Sequence, residues 1–178
     1  MYEHTDARFM LERTPVLYLA FDGVLHHDAV TYRGRTPVMK SPEEQLFAHC
    51  DALIELLEPL PDLLIVLSTS WAARMGFATA AMRLPRGLRP RTFACTKPVS
   101  MGLKRFMAMS RGEQIARDIA RRGRRPFFII DRDERGFFPE YARFLVHTDG
   151  KAGLSSDRAV LAVRHQVDRI YELTRSSS

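Results

Sequence analysis

The sequence predicts a three-layer α/β/α fold built on a mostly parallel sheet of about five strands. Three observations carry this. Short apolar runs recur along the chain, and each is too uniformly apolar for a strand with one wet face, so each reads as a strand buried on both sides. Segments with apolar residues at helical spacing separate them. Three of the runs end directly in polar residues, at Ala20 to Asp22, Ser68 to Ser70 and Asp131 to Glu134. In an open parallel sheet, ligands sit beyond the carboxyl ends of the strands.

In order along the chain, residues 1–14 read as a polar lead-in, 15–174 as a single domain and 175–178 as a frayed tail. Pro15 to Phe21 is the first buried strand and ends in Asp22-Gly23. A polar stretch with Gly and Pro runs from His26 to Lys40. Ser41-Pro42-Glu43-Glu44 has the composition of a helix start, with Ser as cap, Pro in the first turn and Glu at the third position. Leu46, Phe47, Cys50, Leu53, Ile54 and Leu57 then recur at helical spacing until Pro59 and Pro61 stop the pattern. Leu63 to Ser68 is a second strand, followed by a helix from about Ala72 to Met82, and Arg91 to Cys95 is a short third strand. Gly112 to Arg122 reads as a helix with Ile115 and Ile119 inward, closed by Gly123. Pro126 to Ile130 and Arg143 to His147 are two further strands. A last amphipathic helix starts near Ser155 or Ser156 and uses Val160, Val163, Val167, Ile170 and Leu173.

Length and composition bound the function. A chain of 178 residues with 46% hydrophobic content fits one self-supporting core. No apolar run approaches the ~20 residues needed to span a bilayer, and the acid-bearing opening residues do not read as a secretory signal. Cys50 and Cys95 read as buried thiols, and the cytoplasm is the expected setting. The net charge of +6 is uneven: from Arg83 to Arg125, thirteen Lys or Arg face only Glu113 and Asp118. Such a block favours polyanions, nucleic acid or a phosphorylated ligand, and a solvated Arg-rich face explains it equally well. It carries no RNA-binding signature and no interleaved stacking aromatics.

Leu17-Tyr-Leu-Ala-Phe-Asp-Gly-Val-Leu25 resembles the first motif of the haloacid-dehalogenase (HAD) superfamily, a strand followed by Asp-x-Asp-Gly-x-Leu. Leu64 to Trp71, ending Ser-Thr-Ser-Trp, resembles the second, and Phe127-Phe-Ile-Ile-Asp131 the fourth. With the late Gly153-Leu154-Ser155, the pattern is similar to the small HAD domain family of Swiss-army-knife RNA repair proteins, over roughly residues 15 to 170. The resemblance implies a Rossmann-like fold with a minimal cap and Mg²⁺-dependent phosphoryl chemistry. In the family the first Asp attacks phosphorus, and the second, here Asp22, serves as acid and base while its carbonyl ligates Mg²⁺. Thr69, with Ser68 beside it, would contact the phosphoryl group. Asp131 would hold Mg²⁺, with Asp133 as a secondary candidate. For the basic group of the third motif, Lys97, Lys104 and Arg111 are candidates, Arg111 first and Lys104 second. Such a site works mostly by positioning and charge stabilisation.

The chain departs from the pattern at three places in one site. The position of the attacking Asp holds Ala20, whose methyl group can neither attack phosphorus nor ligate a metal. The consecutive acids after the fourth strand are replaced by Asp131-Arg132-Asp133, and the Arg usual after Ser-Thr-Ser-Trp by Ala72. His26 and His27 lie near in sequence, but loop histidines past a strand are more often solvated than catalytic. Three accumulated departures favour an evolved change over a laboratory one. Only about 40 residues separate the first two motifs, too few for a large cap, and an open site is what the family associates with bulky substrates such as nucleic-acid ends. The expectation is therefore a HAD-type phosphatase scaffold with weakened Mg²⁺ binding and hydrolysis impaired or lost. The alternative is a non-enzymatic module that binds a phosphate or nucleic acid.

Overall fold

The computed structural model describes residues 14–34, 36–123 and 125–176. Residues 1–13 of the expected lead-in over 1–14, and the last two tail residues, lie outside them. In chain order the strands are β1 (Val16–Leu19), β2 (Val30–Arg33), β3 (Thr36–Met39), β4 (Leu64–Leu67), β5 (Thr92–Cys95), β6 (Phe127–Asp131) and β7 (Leu145–His147). The helices are α1 (Cys50–Leu56), α2 (Ser70–Met75), α3 (Phe77–Ala81), α4 (Leu103–Met107), α5 (Arg111–Arg122), α6 (Pro139–Ala142) and α7 (Asp157–Arg175). Five strands form one parallel sheet in the order β5-β4-β1-β6-β7.

β1 is buried at every residue because it pairs on both edges and is covered on both faces. Its alternation divides the core. Leu17 and Leu19 join Ile65, Leu67, Phe128 and Ile130 in the larger apolar cluster, while Val16 and Tyr18 face Val66, Ile129 and Ile115 of α5. The Tyr18 hydroxyl donates to Asp118 beneath the sheet, and burial pushes that phenol above its ordinary range. No helix among the described residues is long and apolar enough to cross a membrane.

Several local expectations give way to tertiary packing. The helix expected from Ser41 begins only at Cys50. Phe47 adopts φ 62, in the left-handed region, and its ring packs edge-on against Phe21 and Trp71 and against His26. That aromatic cluster overrides the helical spacing, and Ser41 caps only a turn through Glu43 N–H. The polar stretch after His26 folds as the antiparallel hairpin β2–β3. The helix expected over 72–82 splits at Gly76, whose φ of 91 ends α2 and starts α3. The short helices α4 and α6 were not foreseen. β7 starts at Leu145 because Phe144 N–H still bonds to the Tyr141 carbonyl. In α7, Val160 is half-buried and Leu173 exposed, and Ala159 and Gln166 take the inward places. Both cysteines are free; Cys50 is buried, its thiol pushed up to about 12 by burial, and Cys95 is half-buried.

The docking of α5 positions the site. Ser110 and Glu113 form a reciprocal cap at its start. Gly112 lies against the loop after β6, where an added Cβ would meet the Gly136 carbonyl oxygen at 2.0 Å, and its N–H donates to the Arg135 carbonyl. Gly112→Ala must push helix and loop apart, an overpacking cost of about 2 kcal/mol, read as a lowered Tm together with weakened anion binding next door. An unchanged Tm would contradict this packing.

Candidate functional site

Three neighbouring strands end at one level. Leu19 is in register with Leu67 on one side and Ile130 on the other. Ala20 N–H donates to the Ile130 carbonyl, and Ser68 N–H to the Leu19 carbonyl. Ala20, Ser68 and Asp131 therefore stand side by side across the carboxyl edge. Beyond them opens a cavity of about 470 Å³ whose walls include Ala20, Asp22, Thr69, Arg111, Asp131 and Asp133. Every first-choice site residue of the sequence reading faces this one space. Ser68, buried, is not on its wall, and neither are Lys104 and Lys97. Lys104 is exposed on α4, and Lys97 turns its ammonium to the Pro98 carbonyl.

Asp22 is held from behind. Trp71 Nε1–H reaches both its oxygens, at 3.0 and 3.2 Å, and His26 Nε2 lies 3.1 Å from Oδ1. His26 Nδ1 accepts from Phe47 N–H, so Nε2 carries the proton and donates to the carboxylate. His26 is fully buried, which corrects the reading of it as a solvated loop residue. The left-handed turn at Phe47 is what brings its N–H to that ring. Thr69 caps α2 by accepting from Trp71 N–H.

Asp131 is almost wholly buried, and desolvation pushes its carboxyl up to about 6 although Arg111 opposes the shift. Arg111 Nε lies 3.0 Å from Oδ2, but neither atom has a hydrogen-bond partner, so the contact is a charge pair in which the N–H points elsewhere. Asp131 Oδ1 accepts from Asp133 N–H. Asp133 is gripped by Arg135 through Nε and Nη2, which holds its carboxyl down at about 2. Arg132 crosses over Gly23, packs beside Gly150 and pairs with Asp28 at 3.3 Å. Sequence reasoning did not place Arg135 or Gln114 on the cavity wall, and met Arg132 only as a departure from the family pattern after the fourth-motif strand. Gln114 had a readable signal, since it stands three residues after Arg111 on the same helix face.

Residues 16–159 match the family described as the HAD domain in Swiss Army Knife RNA repair proteins. The chain belongs to this family. No curated protein and no solved structure matches it.

HAD proteins generally use Mg²⁺. The side chains here do not fit a resident Mg²⁺ ion. Among the described residues, no group of three His, Cys, Asp or Glu could hold a metal. Ala20 offers no oxygen, Asp22 is turned to Trp71 and His26, and of Asp131 only Oδ2 lacks a hydrogen-bond partner, with Arg111 Nε lying 3.0 Å from it. That leaves one carboxylate oxygen, beside a guanidinium, for an ion that takes one or two facing carboxylates.

Proposed function

We propose that this HAD domain is a phosphatase scaffold that still receives a phosphate group but does not hydrolyse it by the covalent route. The observation that carries the reading is Ala20, 3% exposed, on the wall of the cavity that Thr69, Arg111 and Asp131 also line. A phosphoryl group placed there meets a hydroxyl and a guanidinium but no attacking oxygen at the strand tip. Arginine suits the ligand, because its planar donors match phosphate oxygens. The cavity wall is charge-balanced, with Arg111, Arg132 and Arg135 against Asp22, Asp131 and Asp133, so an incoming anion must take Arg111 from Asp131. Two unpaired cysteines fit a cytoplasmic setting.

Proton linkage makes the reading testable. As pH falls through about 6, Asp131 takes a proton and releases Arg111. Sulfate keeps its charge over this range and serves as probe. Calorimetric titration from pH 8 to pH 5 is expected to show sulfate affinity rising about tenfold, with the midpoint near 6. The same protein should leave p-nitrophenyl phosphate intact in Mg²⁺. PH-independent sulfate binding would count against the Arg111–Asp131 linkage, and Mg²⁺-dependent turnover abolished by Asp22→Asn would overturn the reading.

The binding-module alternative is favoured by one further observation. The cation at the site is set by the cap and close packing at the start of α5, so it persists without a metal or a nucleophile.

A further inference from the structure

Buried polar atoms in folded proteins are nearly always hydrogen-bonded. Among the described residues, the exceptions are Ser68 Oγ, two nitrogens of Arg125, Arg111 Nε and Asp131 Oδ2. Of these residues, only Arg111 and Asp131 belong to the wall of the larger cavity. Their two unpaired atoms lie 3.0 Å apart, yet the Nε–H is not aimed at Oδ2. An unspent donor and an unspent acceptor thus stand side by side beyond the sheet edge.

Most other polar groups on this wall are already committed. Asp22 accepts from Trp71 at both oxygens and from His26 at one. Arg135 grips Asp133, whose N–H occupies Asp131 Oδ1. Ser110 spends its hydroxyl on Glu113, and Arg132 pairs with Asp28. Arg111 Nη1 donates to Gln114 Oε1, while the Gln114 amide nitrogen is tied to the Phe106 and Met109 carbonyls. The guanidinium is therefore tethered to the partition that Gln114 forms with a smaller cavity of about 240 Å³. Thr69 Oγ1 accepts from Trp71 N–H and keeps its own proton to give. A ligand meets donors from Arg111 and Thr69 and a single uncommitted buried carboxylate oxygen, Asp131 Oδ2.

We infer, on the reading of this cavity as a phosphate site, that Asp131 selects an oxyanion carrying a proton, hydrogenphosphate, over a bare one such as sulfate. A phosphorus with one P–O–H and several bare oxygens satisfies both halves of the unspent pair. A bare oxygen accepts from Arg111 Nε–H and Thr69, and the P–O–H donates to Asp131 Oδ2. Sulfate has the same shape and charge but no proton to give. It draws on Arg111 and leaves Oδ2 buried, unpaired and facing a like charge. Sites built to hydrogen-bond a ligand hydroxyl reject the analogue that lacks it, because the protein group is then left bare. A phosphate ester dianion fails for the same reason. The ligand class is free phosphate, or an ester that has kept its second proton.

The test titrates inorganic phosphate, sulfate and methyl phosphate into the full chain by calorimetry, at pH 8, in EDTA and at one ionic strength. At that pH the Asp131 carboxyl, which burial pushes up to about 6, is ionised. Inorganic phosphate is then the dianion with one proton, whereas methyl phosphate, with a second pKa of about 6, has lost its own. Phosphate is expected to bind at least about tenfold more tightly than either competitor. Asp131→Asn, which replaces the bare oxygen with an amide able to donate, should bring phosphate and sulfate within about twofold. Equal affinities for phosphate and sulfate in the unmodified protein would overturn the selection and leave the phosphate reading standing. So would methyl phosphate binding as tightly as inorganic phosphate, or a preference over sulfate that Asp131→Asn leaves unchanged. If none of the three anions binds, the phosphate reading falls and the selection falls with it.

Discussion

Ala20→Asp is expected to raise hydrolysis of p-nitrophenyl phosphate, assayed with Mg²⁺, at least about a hundredfold above the unmodified protein. Ala20 lies between β4 and β6 at the carboxyl edge of the sheet, and its N–H is already bonded to the Ile130 carbonyl. A carboxylate there would share the cavity with Arg111 and Asp131 and would stand two residues before Asp22, which Trp71 and His26 hold in place. What Ala20 withholds is a carboxylate that could both attack phosphorus and face Mg²⁺, on a backbone whose position is fixed by ladder hydrogen bonds. Ala20→Asn, of the same size but without the nucleophile, should remain silent. Equal activity in both variants would mean that the gain came from shape alone, and no gain in Ala20→Asp would place the loss of function elsewhere in the site.

Arg111→Ala is expected to lower stability at pH 7.5 by about 3–5 kcal/mol and to abolish anion binding in the larger cavity. Removing one partner of a buried pair leaves an uncompensated charge, and Asp131 is the most deeply buried carboxylate on the cavity wall. The pH dependence has a definite sign. The Asp131 carboxyl is raised from 3.8 to about 6 in the folded protein, so its contribution to stability is full below about pH 4 and is lost as pH rises through 6. In the unmodified protein that loss is about 3 kcal/mol. Without Arg111 the carboxyl rises further and the loss grows, so chemical unfolding at pH 5 and pH 7.5 should separate the two proteins mainly at the higher pH. Arg111→Lys keeps a charge but not the guanidinium fork, and should recover stability better than anion binding. A variant equally destabilised at both pH values would show that the Arg111 side chain matters for packing only.

The sheet and the strand tips were legible in the sequence because they depend on local signals. Uniformly apolar runs mark two-sided burial, and the end of each run falls at the carboxyl edge, which brings Ala20, Thr69 and Asp131 together from sequence alone. Arg111 is preferred over Lys104 and Lys97 because it stands at the start of the helix leading into the Asp131 strand, where the family resemblance places the basic group, and it is the candidate of the three that lines the cavity. What the sequence concealed is set by contacts between distant segments. Phe47 abandons a helical conformation to reach Phe21, His26 and Trp71, and no periodicity records that. His26 is a buried hydrogen-bond donor because of the same turn. The hairpin β2–β3 pairs exposed and half-buried residues, with Pro37 buried, so it lacks the apolar alternation by which a half-buried strand is recognised. The grip of Arg135 on Asp133 spans two residues, but nothing in the spacing distinguishes it from an exposed turn.

Calorimetric titration of inorganic phosphate into the unmodified protein, once in EDTA and once in millimolar Mg²⁺, is the most direct check that protein cations hold the ligand where a metal is expected. Matching affinities, to within about twofold, are predicted. Binding that appears only when Mg²⁺ is added would contradict it.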